Sequence, residues 1–430
     1  MALAFANRQQ ELRELDAAAA RGGLTVLYGR RRVGKTRLIL EWLNSRQGLY
    51  SQAIEGAPSL QLDQLWSDLR GPLHSELTPR SWGELLELLN LHARGRVLCL
   101  DEFPYLVASD PSLPSLLQRW LDHRRGGELT LLLCGSSTRM MNAVFLNRSA
   151  PLFGRAGKLL HIRPMSYGAF CAACGQDAAE AETFERFALV GGVPRYWEFV
   201  KPGQSVVDLA QELFFGFAPF LEQEPMRILR DEGIVGINAV SVLEAVGRGA
   251  EKPSEIAARL GTAQSNLSRL LQQLLDANLV ERELPFGESL RTTKRLRYRI
   301  ADPALRFWFR VYSPHRSRWP HYAAAEKRRL IHEHAATVFE DCWRRHHPEA
   351  GRFWEADIEL DLVRTERDTH GAEHVVVSEV KWRPLSATER QRIERGLPER
   401  WARCAVKAKA KQVRFEVIDA SNLAELASRE

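Results

Sequence analysis

The chain has 430 residues and a formal net charge of +6, with 45% hydrophobic and 27% charged residues. This length predicts roughly two to four domains, and the composition is typical of a globular protein. No run of about 18 apolar residues occurs and the polar start at 1–15 lacks a signal-peptide pattern, so we expect no membrane partner. Six cysteines without an evident zinc-binding spacing indicate a reducing, cytoplasmic setting.

The first half of the chain alternates short apolar runs with helical patterns. The run at 24–28 leads into a glycine-rich loop and then into a helical pattern at 36–43. Four further strands are predicted, at 49–54, 97–100, 129–134 and 159–162. Continuous apolar strands separated by helices predict an α/β domain whose parallel sheet is covered on both faces.

The glycine-rich loop has the pattern G-x-x-x-x-G-K-[ST], which predicts a P-loop. Its eight residues are Gly29, Arg30, Arg31, Arg32, Val33, Gly34, Lys35 and Thr36. Small residues let backbone N–H groups surround phosphate oxygens, and the following helix points its positive end at them. Lys35 is expected to pair with the β- and γ-phosphates, and Thr36 is expected to bind Mg²⁺. The loop therefore predicts a site for ATP and Mg²⁺.

A second motif completes this prediction. The apolar run 97–100 ends in Asp101 and Glu102. Asp101 is expected to hold Mg²⁺ through water, and Glu102 is expected to orient the attacking water. Ser136, after another strand, is expected to sense the γ-phosphate unless it lies in a simple turn. Arg155 is either an arginine finger or an ordinary surface arginine.

Several segments together resemble the archaeal-type ATPases, a STAND-like branch near the AAA+ proteins. They are 5–12, the P-loop, 100–103, 133–137, 151–155 and 191–194. The resemblance extends over nearly the whole chain. It implies a P-loop ATPase with a helical lid, followed by a winged helix and a poorly characterised carboxy-terminal domain.

The middle of the chain has the pattern of a winged helix-turn-helix. Three short helices are expected near 236–248, 253–260 and 264–277, followed by a strand pair at 279–284 and 295–300. The segment from Arg291 to Leu330 contains twelve Lys and Arg residues but only two acidic residues, Asp302 and Glu326, which gives it a net charge of +10. Such a block favours DNA as the partner, with the wing reaching phosphates. Protein contacts alone, or a solvated surface, remain alternatives.

The last region brings acidic residues and a lysine onto two expected strands, near 357–363 and 374–381. Asp361 lies on the first, and Glu379 and Lys381 share one face of the second. With Glu340 as a further ligand, this set could bind Mg²⁺ and activate water for phosphodiester cleavage. The spacing resembles the PD-(D/E)XK nuclease superfamily, although no proline precedes Asp361. The alternative is a solvated acidic face with an ion pair to Lys381.

These predictions combine into a three-part α/β protein. The parts are a P-loop ATPase with a lid at 1–230, a winged helix-turn-helix at 231–312 and a small restriction-endonuclease-like α/β domain at 313–430. We expect an ATP-hydrolysing protein that acts on DNA, with Mg²⁺-dependent cleavage as an additional activity. The alternative is a non-catalytic STAND-like switch that binds DNA or a protein. An AAA+-like ring, in which the chain forms a homo-oligomer, is a third interpretation.

Overall fold

The fold is described from a computed structural model, over residues 3, 5, 7–46, 48–123, 129–291, 293–347, 349–367, 371–404 and 412–428. The chain divides into two compact units. The N-terminal unit joins Phe5–Pro164 with Arg230–Gly233, and the C-terminal unit contains Met165–Leu229 and Ile234–Glu430. The boundaries that the sequence predicts at 230 and 312 remain predictions. Among the described helices, none is long and apolar enough to cross a membrane.

The N-terminal unit alternates strands and helices as the sequence predicts. Its elements are α1 (Gln9–Arg21), β1 (Leu24–Tyr28), α2 (Lys35–Asn44), β2 (Leu49–Gln52), α3 (Pro58–Leu73), α4 (Trp82–His92), β3 (Val97–Asp101), α5 (Phe103–Ser109), α6 (Leu113–Asp122), β4 (Thr130–Gly135), α7 (Thr138–Phe145) and β5 (Ala156–His161).

The five strands of this unit form one sheet in the order β2-β3-β4-β1-β5, and every pairing is parallel. Successive side chains of a strand point to opposite faces. Val26 accordingly belongs to the core between the sheet and α3, α4 and α6, whereas Leu27 belongs to the core beneath α1 and α2. The predicted sheet with two covered faces is confirmed, and it brings the carboxyl ends of β1, β3 and β4 to one edge.

The C-terminal unit begins with helices and a small winged helix-turn-helix. Its helices before the wing are α8 (Tyr167–Cys174), α9 (Ala181–Val190), α10 (Pro194–Trp197), α11 (Val206–Ala210), α12 (Glu224–Asp231), α13 (Ile237–Gly247), α14 (Pro253–Leu260) and α15 (Gln264–Asp276). Strands β6 (Val280–Glu283) and β7 (Arg297–Ile300) pair antiparallel and form the wing. Helices α13 to α15 and the wing share one hydrophobic core, which confirms the predicted helix-turn-helix.

The remainder of this unit is a mixed sheet with flanking helices. Its elements are α16 (Pro303–Phe307), α17 (Ser313–His315), α18 (Ala324–His346), β8 (Gly351–Glu355), β9 (Ile358–Arg367), β10 (Glu373–Lys381), α19 (Ala387–Ala402), β11 (Val413–Asp419) and α20 (Leu423–Ser428). The strand order is β11-β10-β9-β8, antiparallel except for the parallel pair β10 and β11. This region thus combines helices with a mixed sheet, and the nuclease-like assignment remains a prediction. The sequence also predicts a short loop around 368–373 between β9 and β10, and part of it lies outside the described residues.

Candidate active site

The P-loop follows β1 and owes its shape to residues with positive φ. Gly29 has φ +154°, and a Cβ added there would lie 2.3 Å from the carbonyl oxygen of Ile162. Arg32 and Gly34 also have positive φ, of 69° and 93°. Glycine adopts these angles without strain, whereas Arg32 adopts them at a cost. The tight path therefore depends on Gly29 and Gly34.

Lys35 is held inside this loop. Its side chain is buried, and Nζ donates hydrogen bonds to the carbonyl oxygens of Gly29 at 2.8 Å and Arg30 at 3.1 Å. Val33 is also buried, and its carbonyl oxygen accepts a hydrogen bond from Arg8, which in turn reaches the carbonyl of Arg163. Arg8 thus ties the loop to the chain that follows β5. Among the described contacts, the hydrogen bonds of the ammonium group go to backbone carbonyls of the loop.

Asp101 is fully buried at the end of β3 and accepts three hydrogen bonds. Oδ2 accepts from the hydroxyls of Thr36 at 2.7 Å and Tyr50 at 3.0 Å, and Oδ1 accepts from the backbone N–H of Glu102 at 2.9 Å. Burial, reinforced by Asp101, raises the pKa of Tyr50, so the phenol stays a donor. The hydroxyl of Thr36 and the carboxylate of Asp101 are oxygen ligands of the kind Mg²⁺ prefers. The residues present therefore fit this ion.

Glu102 is positioned by the end of the neighbouring strand. It has φ +53°, and its carboxylate accepts a 2.5 Å hydrogen bond from Ser136 Oγ and a 3.2 Å bond from the Ser136 N–H. A Cβ at Gly135 would lie 2.6 Å from Sδ of Met141 and 2.8 Å from Cδ of Pro104. Only glycine lets β4 approach α5 this closely. The structure thus brings together the predicted water-orienting acid and the predicted sensor serine.

Arg155 is held by an acidic side chain and by a backbone carbonyl. Its Nε and Nη2 each donate a 2.9 Å hydrogen bond to the carboxylate of Asp122, and Nη1 donates to the Pro151 carbonyl. The pair is partly exposed. Its role as an arginine finger stays a prediction.

The C-terminal carboxylate cluster (Glu340, Asp361 and Glu379, with Lys381) lies on α18, β9 and β10. Lys381 Nζ is 2.7 Å from Glu379 Oε1 and 3.6 Å from Asp361 Oδ2. The other oxygen of Glu379 is 2.7 Å from Arg400 Nη2, and Asp361 also accepts a hydrogen bond from the Val380 N–H. The predicted convergence of Asp361, Glu379 and Lys381 is present. An arginine that the sequence did not indicate joins them.

Electrostatics connect Glu340 to this cluster. Burial, followed by the Asp361 carboxylate, raises the pKa of Glu340 to about 7, and burial with Glu379 raises the pKa of Asp361. Within the described ranges, no group of three or more His, Cys, Asp or Glu side chains is placed to hold a metal ion. Since Glu379 already has two cationic partners, the cluster fits Mg²⁺ poorly in this arrangement. Metal binding by Glu340, Asp361 and Glu379 stays a prediction.

Two arginines of wing strand β7, Arg297 and Arg299, are already paired with carboxylates. Arg297 Nη1 lies 3.3 Å from Glu251 and 3.2 Å from Glu359. Arg299 pairs with Glu281 at 2.7 Å and with Asp341. These guanidinium groups join the wing to the carboxy-terminal sheet and α18 through ion pairs. Arg297 is thus already held by carboxylates from distant parts of the chain, and the prediction that the wing reaches phosphates depends on its exposed cations, such as Arg291 and Lys294.

The exposed face of α15 is polar. Leu267, Leu271 and Leu274 are buried in the core of the helix-turn-helix. The exposed residues of the helix are Gln264, Ser265, Asn266, Ser268, Arg269, Gln272 and Asp276. The second helix of a helix-turn-helix is the one that enters the DNA major groove. This face therefore has side chains available for contacts, as do the exposed Arg291 and Lys294 between the two wing strands.

Comparison with known proteins agrees with both motifs. Residues 5–199 match the family model described as "ATPase domain predominantly from Archaea", and residues 237–284 match the IclR helix-turn-helix domain. An uncharacterised protein of Methanocaldococcus jannaschii is 28% identical over 411 residues, which cover 91% of each chain. The chain therefore carries an archaeal-type ATPase domain and an IclR-type helix-turn-helix, and both predictions are confirmed.

Solved structures agree at the level of the fold. The Walker-type ATPase of Pyrococcus abyssi superposes with a TM-score of 0.54 at 20% identity, covering 71% of this chain and 96% of that one. The ORC2 protein of Aeropyrum pernix superposes at 0.44 and 14% identity, covering 77% of this chain and 94% of that one. The first likeness supports the P-loop ATPase fold.

Proposed function

We propose that this protein binds ATP with Mg²⁺, hydrolyses it, and uses the nucleotide to control binding of its helix-turn-helix to DNA. The observation that carries the ATPase part is the 2.7 Å hydrogen bond between the Thr36 hydroxyl and the buried Asp101 carboxylate. It joins the P-loop to the acidic strand, which are 65 residues apart in the sequence. Such a pair has the chemistry to hold a nucleotide-bound Mg²⁺.

Each group then has a defined task. The Lys35 ammonium exchanges its loop carbonyls for the β- and γ-phosphate oxygens. Thr36 and Asp101 would hold Mg²⁺, which when bound would supply positive charge to offset that of the phosphates. Glu102 accepts a hydrogen bond from the attacking water and is kept in place by Ser136. The loop backbone between Gly29 and Gly34 surrounds the phosphates.

The test of this part is Thr36→Ala. Phosphate release and the affinity for a fluorescent ATP analogue are measured with Mg²⁺ and with EDTA. We expect Mg²⁺ to strengthen binding in the wild type and to have little effect in the variant, with turnover lost. Ser45→Ala, which removes a hydroxyl bonded only to the Trp42 carbonyl within the described contacts, is the matched control. Equal Mg²⁺ dependence in Thr36→Ala would overturn the assignment.

The DNA part rests on the helix-turn-helix match and on the polar outer face of α15. Arg269 is the cation on that face, so its removal should weaken binding at low salt. The slope of log affinity against log salt should then fall by about one phosphate contact. Fluorescence anisotropy of a labelled duplex, with ADP and with a non-hydrolysable ATP analogue, measures both. Arg46→Ala, two residues after the end of α2, is the matched control.

The outcomes separate the alternatives. A nucleotide-dependent, salt-sensitive affinity that Arg269→Ala weakens supports ATP-controlled DNA binding. Absence of DNA binding at low salt would instead favour a STAND-like switch that binds a protein partner.

Mg²⁺-dependent DNA cleavage is a second candidate function. It is supported by the convergence of Asp361, Glu379 and Lys381 on adjacent strands of the mixed sheet. The test incubates plasmid and linear DNA with Mg²⁺ or Mn²⁺, with and without ATP, comparing wild type with Asp361→Ala and Lys381→Ala. Cutting that both variants lose supports a nuclease. DNA binding without cutting supports the non-catalytic switch.

A homo-oligomer belongs to the same proposal. Arg155 and its partner Asp122 are partly exposed, a position from which an arginine can act in a neighbouring subunit's site. We expect Arg155→Ala to lower turnover without changing nucleotide affinity. Light scattering with the ATP analogue measures assembly. A monomer with full ATPase activity would exclude a ring.

A further inference from the structure

A short connector, Arg230–Gly233, lies against the nucleotide site. It belongs to the N-terminal unit although the chain on both sides of it belongs to the C-terminal unit. The connector consists of the last two residues of α12 and the two residues after them, and the chain then continues through Ile234 into α13, the first helix of the helix-turn-helix. What holds it to the ATPase is therefore a restraint on the chain that enters the helix-turn-helix.

The first anchor of the connector is on the P-loop itself. Arg31 Nη1 lies 2.7 Å from Asp231 Oδ2, with side chains 50% and 20% exposed. The Asp231 hydrogen bond, with smaller contributions from Tyr105 and the Glu102 carboxylate, raises the pKa of Arg31. Arg31 thus lies in the field of the acid that we assign to water activation. The guanidinium group of this P-loop residue is therefore held by the Asp231 carboxylate.

The second anchor is on the segment that follows Ser136. The buried Glu232 accepts hydrogen bonds from Ser137 Oγ and from the backbone N–H groups of Thr138 and Arg139, each at 3.0 Å. In return, Arg139 Nε donates to the Glu232 carbonyl at 2.8 Å. Burial raises the pKa of Glu232, against the effect of these donors. The connector therefore contacts both the P-loop and the chain next to the sensor serine.

The two anchors differ in how easily a phosphate could take the place of the connector's carboxylate. Glu232 is buried, and its side-chain and backbone oxygens accept hydrogen bonds from four donor groups. This anchor therefore stays in place. The Arg31–Asp231 pair is half-exposed. A guanidinium group can bind the oxygens of a phosphate in the same bidentate manner in which it binds those of a carboxylate. A γ-phosphate adds an anion at the loop on which Arg31 stands, whereas ADP does not.

We propose that Asp231 and the γ-phosphate of ATP compete for Arg31, so that ATP but not ADP releases the Asp231 end of the connector. This rests on the proposed ATP binding and adds a device that distinguishes ATP from ADP. After the exchange, Arg31 contacts the γ-phosphate and Asp231 is solvated, while Glu232 stays bound to 137–139. The chain leading to α13 then has one restraint fewer.

Nucleotide affinities test the exchange. Binding of the non-hydrolysable ATP analogue and of ADP is measured by calorimetry for wild type, Asp231→Asn, Arg31→Gln and the double variant. Asp231→Asn removes the competitor, so we expect affinity for the ATP analogue to rise about threefold to fivefold, as for a half-exposed ion pair, with ADP unchanged. Arg31→Gln should weaken the ATP analogue selectively, and Asp231→Asn should add nothing in that background.

The matched control is Asp16→Asn. Asp16 forms an exposed 2.6 Å ion pair with Arg46 in the same unit and should change neither affinity. Hydrogen exchange over 230–236 is the second measurement, with faster exchange expected in the ATP analogue than in ADP.

Each outcome decides something. Equal changes in ADP and ATP affinity, weaker ATP binding by Asp231→Asn, or the same exchange rates in both nucleotides would overturn the proposed competition and leave ATP binding intact. A wild type that binds neither nucleotide would overturn the proposed function and, with it, this inference.

Discussion

The P-loop site and the C-terminal carboxylate cluster both gather acidic side chains, but they give those acids different partners. Asp101 is held by two hydroxyls and a backbone N–H, and Glu102 by Ser136, so the hydrogen-bond donors to both carboxylates are uncharged. Glu379 is held by Lys381 and Arg400, which neutralise it. Acids held by neutral donors keep their attraction for a cation, whereas acids already paired lose part of it.

Among the variants that test this comparison, we expect the largest effect from replacing Lys35 in the P-loop site. Lys35→Ala removes the ammonium that the P-loop carbonyls hold, together with its charge-assisted bonds to phosphate. We expect nucleotide affinity to fall by roughly 10- to 150-fold, and turnover at low ATP to fall with it. Titration with a fluorescent ATP analogue measures this. Lys158→Ala, on β5 and paired with Glu14, is the matched control. Unchanged affinity would mean that the loop is not a nucleotide site.

The next effect is at Glu102. Glu102→Gln keeps the shape of the side chain and its bond to Ser136 but removes the base. We expect turnover to fall by roughly 100- to 1000-fold while ATP affinity stays within about twofold. Phosphate release and calorimetry separate the two. Undiminished turnover would assign the water to another group, and a parallel loss of affinity would make Glu102 a structural residue.

A third prediction concerns charges that serve stability. Asp341 on α18 is almost fully buried and pairs with three guanidinium groups, those of Arg299, Arg306 and Arg344. Burial alone would raise the pKa of Asp341, but these groups hold it well below its ordinary value. The contribution of this carboxylate to stability is therefore complete at pH 7 and is lost only in strong acid.

Asp341→Ala should lower the free energy of unfolding of the C-terminal unit by about 3–5 kcal/mol, because it removes the buried carboxylate that three guanidinium groups share, although Arg299 and Arg344 keep other carboxylate partners. Urea unfolding followed by circular dichroism measures the change. The control is Asp357→Ala, whose exposed pair with Arg403 should contribute far less to stability. Similar losses for the two variants would show that the buried arginines find other partners.

Sequence predicted the site wherever the chemistry is local. The P-loop needs eight consecutive residues, and the acidic strand needs an apolar run with two acids, so both could be recognised without the fold. Ser136 was predicted as a sensor of phosphate, and the structure adds that it holds Glu102. Helix α3 was missed although Leu62, Leu65 and Leu69 have helical spacing and are buried.

What could not be predicted depends on contacts between distant residues. Tyr50 reaches Asp101 only because β2 and β3 are neighbours in the sheet, and Asp231 reaches Arg31 across 200 positions. The charge of the basic block was correct as a sum. Its acidic partners, such as Glu251 and Glu359, lie outside the block, so composition could not show that Arg297 is already paired.

The smallest expected effect returns to the carboxylate cluster. If Arg400 takes the place of a cation beside Glu379, then Arg400→Gln should raise the affinity of the cluster for Mn²⁺ by only a few fold, about 1 kcal/mol for one partly exposed charge. Mn²⁺ titration by paramagnetic resonance without nucleotide measures this. Arg403→Gln, near the end of the same helix, is the control because its partner is the exposed Asp357.

The opposite result is equally informative. A wild type that takes up Mn²⁺ tightly, and loses it in Arg400→Gln, would mean that Arg400 orients Glu379 as a ligand instead of neutralising it. The cluster would then resemble the P-loop site, in which the partners of an acid position it for a metal. That result would favour DNA cleavage over a purely structural role. The cluster of Glu340, Asp361, Glu379 and Lys381 would then be arranged to bind a metal ion.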